Sequence, residues 1–527
     1  MHNIVQGAPT PNHPSEIPLP AIQATRPAAT RPWRERPWRE RLSEQDDWAW
    51  LLVLLAALLA IRLIALVLAR TDLFFDEAQY WTWSRELDFG YFSKPPLIAW
   101  IIRLATDVCG NAEWCVRAPS AILYTVTSVF VFLAGRALYD NRIGFWSALV
   151  FATLPAASFS SLLISTDVPL LACWTVALYA WIRLVQSQRF VYALLVGAAL
   201  GLGLLAKYAA IYFLLGVAID AWSDKRARAA LGGGRGIVAL AIALTLIAPN
   251  LLWNATHSFA TFSHTAENAG WKELPIHLSA GLAFLGSQFA VFGPILFAVL
   301  IWMAWRALRH GCEEPQCRLL AFSMPVILLL VLQALLSRAL ANWAAAAYPA
   351  ATILVTAELL RHWPRLFRIS LGLHLGAALV IMLAPIFAPE ISKITGPEWN
   401  PYSRVLGWRD LAATTRRLAE QQGVKSVLTD NREVTGELLY YLRDTSLPVL
   451  IWWRGEPPRN QFEITHPFTA SAPEPLLYVT LNTGRTSVPK RFGTAKKLET
   501  QGFPLDTAPV REGRFTLLRG YKSDHDR

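Results

Sequence analysis

The stretch W-A-W-L-L-V-L-L-A-A-L-L-A-I-R-L-I-A-L-V-L occupies residues 48–68 and contains one charged residue, Arg62. As an α-helix, a segment of this length reaches about 30 Å, which is the thickness of the hydrocarbon core of a bilayer. A helix also satisfies every backbone hydrogen bond within the segment, as a lipid environment requires. The stretch therefore predicts a membrane-spanning helix.

Ten more apolar segments follow, so the sequence predicts an α-helical polytopic membrane protein of about eleven transmembrane helices. The composition agrees, since 54% of the residues are hydrophobic and 17% are charged, against about a quarter charged in soluble proteins. A break is expected near Gly203 and Lys207, and a kink at Gly293-Pro294. The expected spans are residues 48–69, 119–138, 144–163, 167–185, 190–205, 207–222, 236–253, 279–308, 319–336, 340–360 and 367–388.

The net charge of +11 lies largely in short loops between apolar segments, which argues against a nucleic-acid partner. Short cytoplasmic loops of membrane proteins are enriched in lysine and arginine. Because the N-terminal tail and every second loop after it are basic, we expect the tail inside and residues 390–527 outside the inner membrane. Basic residues of these segments are Arg31, Arg34, Arg36, Arg39, Arg41, Arg136, Arg142, Arg183, Arg189, Lys225, Arg226, Arg228, Arg235, Arg306, Arg309, Arg318, Arg361, Arg365 and Arg368.

Three parts of the chain are expected. Residues 1–47 are rich in Pro, Arg and Ala, carry the repeat R-P-W-R-E-R-P-W-R-E at 31–40, and predict a disordered cytoplasmic tail. Residues 48–389 form the transmembrane part, with residues 70–118 as its first outer loop. Residues 390–527 predict a small extracytoplasmic α/β domain, a lid or docking module without a catalytic signature. Its expected helices are residues 408–422 and 433–442, and its strands 426–429, 449–453, 476–480 and 514–519.

The first outer loop contains the segment from Asp76 to Leu87, which predicts an amphipathic helix lying on the membrane and ended by Gly90. Asp76 would lie in the first turn, where the positive end of the helix favours an ionised carboxylate. Such a carboxylate can accept a proton from a hydroxyl group. The alternative is that Asp76 only caps the helix.

Two lysines are candidates for binding a lipid phosphate at headgroup height. Lys94 precedes Pro95-Pro96, which holds its backbone extended, and Lys207 interrupts a long apolar run. With Arg117 or Arg338 on the same face, they could surround a phosphate. The alternative for Lys94 is an ordinary lysine that extends its charge to the membrane interface.

Polar residues otherwise gather at the outer ends of the expected spans, where Asp167 and Asn342 lie. A transporter of lipid-linked sugars, such as a flippase, would place ionisable groups near the midplane, and apart from Arg62 that path is missing. His257 and His264 share an outer loop, but His-x6-His is not a helical ligand spacing, so a bound metal is not expected.

The five cysteines do not predict a disulfide framework. Cys109 and Cys115 share the first outer loop, and the sequence is compatible both with a disulfide between them and with two free thiols. Cys312 and Cys317 fall in an expected cytoplasmic loop, and we expect them to stay reduced.

The runs D-E-A-Q-Y-W at 76–81 and G-Y-F-S-K-P-P-L at 90–97 resemble the family 39 membrane glycosyltransferases of the C-type superfamily. These are relatives of the protein O-mannosyltransferases and of the lipid A aminoarabinose transferases. The resemblance covers residues 48 to 465. Further matches are V-R-A-P-S at 116–120, S-T-D-V-P-L at 165–170, L-L-A-K-Y at 204–208, L-L-W-N-A-T-H at 251–257, A-N-W-A-A-A-A-Y at 341–348, G-W-R-D-L at 407–411 and D-N-R-E-V-T-G-E-L at 430–438.

The resemblance implies a C-type fold and the transfer of a sugar, with inversion, from a polyprenyl-phosphate donor to an acceptor hydroxyl at the outer membrane face. The acceptor stays open among lipid A, a glycolipid, a polysaccharide and a protein. The resemblance also assigns roles: the catalytic residues would be Asp76, its neighbour Glu77 and Asp167, and the donor-phosphate ligands Lys94, Lys207, Arg117 and Arg338.

One position departs from the pattern. Some aminoarabinose-transferring relatives have a metal-binding Glu before the K-P-P lysine, where this chain has Ser93. The departure weakens the expectation of a divalent metal and of that substrate. A catalytically inactive scaffold is a further alternative, against which the intact pair Asp76-Glu77 argues.

The alternation of basic loops predicts the location of the C-terminal part. A phosphatase reporter fused after residue 400, which is active only outside the cytoplasm, should be active, whereas the same reporter fused after residue 228 should be silent. Measuring both fusions in intact cells checks the topology. Activity of the fusion at residue 228 alone would reverse the orientation.

Overall fold

The structure, a computed structural model, describes residues 38–270, 276–453, 455, 457–481, 486–506 and 509–522. Residues 1–37 of the expected disordered tail fall outside the described residues, and the first helix begins at Trp38, ten residues before the expected span. Helices dominate as far as residue 395 and are joined by short 3-10 helices at Tyr208–Ile211, Ala341–Ala347 and Ala384–Phe387. The helices are α1 (Trp38–Leu68), α2 (Phe75–Arg85), α3 (Leu97–Cys109), α4 (Glu113–Leu138), α5 (Asn141–Thr153), α6 (Pro155–Ser160), α7 (Asp167–Ser187), α8 (Phe190–Ala206), α9 (Tyr212–Ser223), α10 (Lys225–Leu231), α11 (Arg235–Thr256), α12 (Ala260–Ala269), α13 (Leu278–Val291), α14 (Pro294–His310), α15 (Gln316–Ala321), α16 (Met324–Leu336), α17 (Tyr348–His362), α18 (Pro364–Leu383) and α19 (Ala388–Thr395).

Within the described part of the chain, seven helical segments are long and apolar enough to cross a membrane, and α13 with α14 makes an eighth if the bent pair counts as one. The chain is therefore a multi-pass membrane protein, as predicted. The seven segments are Asp47–Leu68, Glu113–Leu138, Asp167–Ser187, Arg235–Thr256, Gln316–Leu336, Ala341–His362 and Pro364–Thr395. The apolar helices Phe190–Ala206 and Tyr208–Ser223 are shorter.

Both expected interruptions of apolar stretches are confirmed. Helix α8 ends at Ala206, and Lys207 has an extended backbone (φ −162°) before the chain resumes as a 3-10 helix. Helices α13 and α14 meet at an angle of 120°, larger than a kink. Gly293 has a φ of +97° at this bend, and the ring of His374 fills the place where its Cβ would be. Because L-residues rarely adopt this φ, glycine is required there.

Helices α8 and α11 pack closely because α8 carries the small-residue pattern Gly197-Ala-Ala-Leu-Gly201 on the face towards α11. A Cβ at Gly197 would overlap the carbonyl oxygen of Ala239, and one at Gly201 would lie 2.8 Å from the Cβ of Leu246. Small residues let helix backbones approach in membranes, where dispersion contacts replace the hydrophobic driving force.

The two cysteine pairs are each joined by a disulfide. Cys109 and Cys115 connect the end of α3 to the start of α4, with their Cα atoms 5.9 Å apart. Cys312 and Cys317 are joined as well, with a Cα separation of 5.4 Å. The second disulfide contradicts the expectation that Cys312 and Cys317 stay reduced. That expectation rested only on the predicted cytoplasmic location, and the turn before α15 brings the two sulfurs together.

Residues 408–522 contain a mixed sheet with helices α20 (Trp408–Gln422), α21 (Arg432–Tyr441) and α22 (Gln461–Thr465). Alternate residues of β1 face opposite sides: Val427 packs in one cluster with Trp408, and Leu428 in another with Phe468. The strand order is β2-β1-β3-β5-β4, with β1 parallel to β2 and β3, and β5 antiparallel to β3 and β4. The strands are β1 (Ser426–Thr429), β2 (Val449–Ile451), β3 (Leu476–Thr480), β4 (Phe492–Phe503) and β5 (Arg511–Tyr521).

The close approach of α8 and α11 yields a prediction about stability. Gly197→Ala should lower the unfolding temperature in detergent, because the obstacle is the rigid backbone of Ala239 and overpacking costs about 1–3 kcal/mol. Gly286→Ala on α13 is the matched control, since a Cβ there has no neighbour within 4 Å and alanine favours helix by about 1 kcal/mol. Thermal unfolding followed by circular dichroism compares the two. Equal unfolding temperatures would remove the close-packing argument.

Candidate active site

A buried ion pair between Glu77 of α2 and Arg117 of α4 fixes the first loop. Their side chains are 1% and 3% exposed, and Nη2 of Arg117 lies 2.7 Å from the carboxylate. The same carboxylate accepts hydrogen bonds from the backbone N–H groups of Phe74 and Ile164, both at 2.9 Å. Arg117 also donates to the hydroxyl of Thr71. The pair therefore joins four segments of chain.

Asp76, next to Glu77 in the first turn of α2, has a more open environment. Its side chain is 36% exposed, and one carboxylate oxygen lies 3.2 Å from Nη1 of Arg432, the first residue of α21. The same nitrogen donates to Oε1 of Gln79 at 3.1 Å. The carboxylate is thus accessible to an approaching hydroxyl group and is held in place by a cation.

Asp167 begins α7 and binds two partners. Its Oδ1 lies 2.6 Å from Nζ of Lys207, at the break between α8 and α9, and its Oδ2 accepts a hydrogen bond of 2.8 Å from the side chain of Asn342. The extended backbone of Lys207 turns its side chain towards α7 instead of continuing the helix. Three separate segments therefore meet at one carboxylate.

Lys94 lies in the loop before α3, and its ammonium has no hydrogen-bonding partner among the residues that the structure describes. Burial lowers the pKa of this lysine, and the charge of Lys207 lowers it further, while the carboxylates of Asp76 and Asp167 raise it. The charge of Arg432 also lowers this pKa. Lys94 thus lies within the electrostatic influence of two ion pairs, Asp76 with Arg432 and Asp167 with Lys207. We call Asp76, Lys94, Asp167, Lys207 and Arg432 the charge cluster.

Helix α11 holds the loop of Lys94 in place. Trp253 donates from Nε1 to the carboxylate of Asp88 at 2.6 Å, and Asn250 donates to the carbonyl of Phe89 at 2.7 Å. A Cβ at Gly90 would overlap the indole of Trp253, so only glycine permits this approach. The hydroxyl of Tyr208, next to Lys207, donates to the same Asn250 at 2.8 Å. Asn250 of α11 therefore binds both the loop that carries Lys94 and the residue that follows Lys207.

Tyr80 lies on α2 one turn after Asp76 and is nearly buried. Burial raises the pKa of its phenol well above the ordinary value, and the charges of Asp76 and Asp167 raise it further. The neutral hydroxyl therefore lies near both carboxylates as a hydrogen-bonding group that does not ionise at neutral pH.

Arg338 does not contact the charge cluster directly. It is exposed and donates to the side-chain oxygen of Asn268 at 3.2 Å. The amide nitrogen of Asn268 lies 2.9 Å from Nε2 of His264, whose pKa is lowered by burial and by the charge of Lys94. Arg338 is thus connected to the surroundings of Lys94 through two polar side chains.

The candidate metal residues are not assembled into a ligand set. His257 stacks on Trp253 with ring centres 4.1 Å apart, whereas His264 packs beside Phe92. Among the described residues, no group of three or more His, Cys, Asp or Glu side chains could hold a metal ion. With Ser93 in place of a carboxylate ligand, these donors do not fit a metal, and no chemical step is assigned to one.

Sequence reasoning did not identify Arg432, Tyr80 or Asn342 as site residues. The available signal for Arg432 was the run D-N-R-E-V-T-G-E-L, which was assigned only to the C-terminal part. Tyr80 lies within D-E-A-Q-Y-W, one helical turn after the acidic pair. Asn342 lies in A-N-W-A-A-A-A-Y. All three belong to motifs that carry the resemblance, but the resemblance assigns no role to these three positions.

The sequence has relatives of known activity. The family of dolichyl-phosphate-mannose-protein mannosyltransferases matches residues 93–253. The lipid A galacturonosyltransferase RgtD of Rhizobium johnstonii is 36% identical over 420 residues, which are 80% of this chain and 88% of the relative. The lipopolysaccharide core galacturonosyltransferase RgtA of the same organism is 26% identical over 48% of this chain and 51% of its own length.

Solved structures share the fold. ArnT from Cupriavidus metallidurans, in the apo state and bound to undecaprenyl phosphate, superposes with a TM-score of 0.59 in both cases, over 89% of this chain and 98% of ArnT, at 15% and 16% identity. The transporter alternative is not favoured by these relatives. Given the identity to the galacturonosyltransferase over most of both sequences, the chain belongs to the C-type superfamily of membrane glycosyltransferases that its motifs resemble.

Proposed function

We propose that the protein transfers a hexuronic acid, galacturonic acid in the first instance, from a polyprenyl-phosphate carrier to a hydroxyl group of lipid A. The observation that carries the transfer chemistry is the charge cluster. In it an accessible carboxylate, Asp76, acts on the ammonium of Lys94, which has no partner among the described residues. The choice of sugar and acceptor is supported by the 36% identity to a lipid A galacturonosyltransferase.

In this proposal, Asp76 is the catalytic base. Its carboxylate accepts the proton of the acceptor hydroxyl, whose oxygen attacks the anomeric carbon as the bond from that carbon to the phosphate oxygen breaks. One glycosidic bond forms, the C–O bond between the anomeric carbon and the phosphate breaks, and polyprenyl phosphate leaves with the electron pair of that bond. Attack opposite the leaving group inverts the anomeric configuration.

Lys94 and Lys207 would bind the phosphate and stabilise the charge that accumulates on it as the bond breaks. Lys94 is available for this role because its ammonium has no protein partner within the described ranges. Lys207 is oriented by Asp167, so Asp167 would act on the phosphate through Lys207 or contact the sugar itself. Asn342 fixes the other oxygen of Asp167.

The remaining predicted site residues would have supporting roles. Glu77 and Arg117 are buried against each other, so we propose that they position Asp76 and the segment before Asp167 without touching substrate. Arg338, which is exposed and linked to His264 through Asn268, would contact the donor or acceptor at the rim.

The proposed reaction takes place at the outer face of the inner membrane. It requires the first loop and residues 390–527 to lie on the same side of the membrane, the latter as an extracytoplasmic α/β domain. The proposed topology has about eleven spans and a cytoplasmic N-terminal tail. The packing of α21 against α2 supports a common side for the first loop and the C-terminal part, since Gly436 lies beside the backbone of Gln79.

Removal of the Asp76 carboxylate tests the transfer. We expect Asp76→Asn to lose the lipid A species that the wild type produces, because the amide cannot accept the proton. Mass spectrometry of lipid A, glycolipids and glycoproteins from the wild type, a deletion strain and the variant identifies sugar and acceptor together. Asp107→Asn, a surface carboxylate on α3 paired with Arg103, is the matched control and should retain the product. A product lost in the deletion but kept in Asp76→Asn would exclude Asp76 as the base.

The lowered pKa of Lys94 predicts a pH dependence of donor binding. Because burial and Lys207 favour the neutral amine, Lys94 loses its charge at a lower pH than an ordinary lysine. The KM for the polyprenyl-phosphate donor should therefore rise as the pH rises from about 7 to about 10. Lys94→Arg should flatten this rise, because a guanidinium stays charged throughout.

The measurement is the initial rate against donor concentration at each pH. Lys393→Arg is the matched control, since Lys393 is an exposed residue of α19. If the KM of Lys94→Arg rises with pH as steeply as that of the wild type, Lys94 does not set the alkaline limit of donor binding.

A further inference from the structure

We propose that Arg432, contributed by the C-terminal part, binds the carboxylate of the donor's hexuronic acid and so selects this sugar. The inference rests on the proposed function, since it concerns the same donor. It assigns a specificity-determining role to a residue of the C-terminal part, whereas the proposed catalytic carboxylate and both lysines belong to residues 48–389.

The guanidinium of Arg432 has a free edge. Its two hydrogen bonds to described residues both use Nη1, which donates to Asp76 and Gln79. Within the described ranges, Nε and Nη2 have no hydrogen-bonding partner, and the side chain is 40% exposed. Nε and Nη2 form the edge of arginine that binds a carboxylate through two parallel hydrogen bonds.

Two contacts keep this edge oriented. The guanidinium lies over the ring of Phe75 at 5.0 Å, an arrangement that stabilises a cation against an aromatic face. The hydrogen bond from Nη1 to Asp76 fixes the rotation of the guanidinium plane on this ring. An arginine that served only to neutralise Asp76 would gain more from a two-pronged contact with it, and this geometry is not adopted.

The position of Arg432 suits the sugar of a bound donor. Its charge acts on Lys94, the proposed phosphate ligand, and it touches Asp76, the proposed base. The anomeric carbon must lie between these two groups. In a hexuronic acid the carboxylate is carried by the ring carbon on the other side of the ring oxygen, close to the anomeric carbon. A cation beside both catalytic groups is therefore within reach of it.

The charges also discriminate between donors. The phosphodiester carries one negative charge, for which the two lysines are available, and a neutral sugar has no anionic group for a third cation. A positively charged amino sugar would be repelled by Arg432. Such repulsion of the wrong ligand contributes to specificity as much as attraction of the right one.

The test compares two donors that differ only at one carbon: polyprenyl-phosphate galacturonate, with a carboxylate, and polyprenyl-phosphate galactose, with a hydroxymethyl group. The full-length protein is purified as wild type, Arg432→Gln, Arg432→Lys and Arg416→Gln. Arg416 is a matched control because it is another arginine of the C-terminal part, paired at the surface with Asp444. Both kcat/KM and the directly measured Kd of each donor are determined, so that a donor that binds without turnover also counts.

We expect Arg432→Gln to weaken binding and lower kcat/KM for the galacturonate donor by about 10- to 100-fold, as expected for a lost charged hydrogen-bonding pair. The Kd of the galactose donor should stay within about threefold. Arg432→Lys should fall between, since it keeps the charge without the two-pronged edge. Arg416→Gln should match the wild type.

Equal losses for both donors would overturn the inference and make Arg432 a positioning residue for Asp76, while the proposed function would stand. A wild type that binds the galactose donor and not the galacturonate donor would overturn both the proposed sugar and the inference. The two failures are distinguished by the wild-type measurement alone.

Discussion

The ion pair between Glu77 and Arg117 is the constraint on which the site depends. Both side chains are almost fully buried, so the charges are stabilised by each other and by the backbone groups they bind. Removing one partner of such a pair leaves an uncompensated buried charge, which costs about 3–5 kcal/mol. The pair is therefore a rigid fixture of the fold, which suits it to orient neighbours.

Its neighbours are the two acidic site residues. Glu77 lies next to Asp76 in α2, so fixing the first turn of this helix fixes the direction of the Asp76 side chain. The same carboxylate of Glu77 accepts the N–H of Ile164, three residues before Asp167. The buried carboxylate of Glu77 thus helps to position both Asp76, which is partly exposed, and Asp167, which is buried. The two acidic residues of the motif D-E therefore have different physical roles.

The sequence predicted the multi-pass character and the two interruptions because these signals are local, whereas the expected eleven spans exceed the seven or eight long apolar segments of the described residues. A run of apolar residues reveals a span, and Lys207 or Gly293-Pro294 reveals an interruption, without reference to the rest of the chain. In the C-terminal part, Trp408–Gln422, Ser426–Thr429 and Leu476–Thr480 have the expected bounds. Strand β4 was missed because its middle is exposed and polar, with K-K-L-E-T-Q in place of an alternating pattern.

The site could be predicted only as a set of residues. The motifs identify Asp76, Lys94, Asp167 and Lys207, but the position of the Lys94 loop depends on the contact between Gly90 and Trp253, which no periodicity reveals. Arg432 lies 356 positions after Asp76, and only the packing of α21 on α2 brings the two together.

The packing of α21 on α2 also determines the field at Asp76. Asp76 lies in the first turn of α2, and Arg432 begins α21, whose N-terminus is capped by Asn431. The N-terminus of each helix favours negative charge near it, and the contact between Arg432 and Asp76 joins the first turns of the two helices. A carboxylate of the protein and a carboxylate of a bound sugar would both be stabilised by this arrangement. Because Arg432 comes from the C-terminal part, the charge cluster is complete only when this part is docked on the first loop.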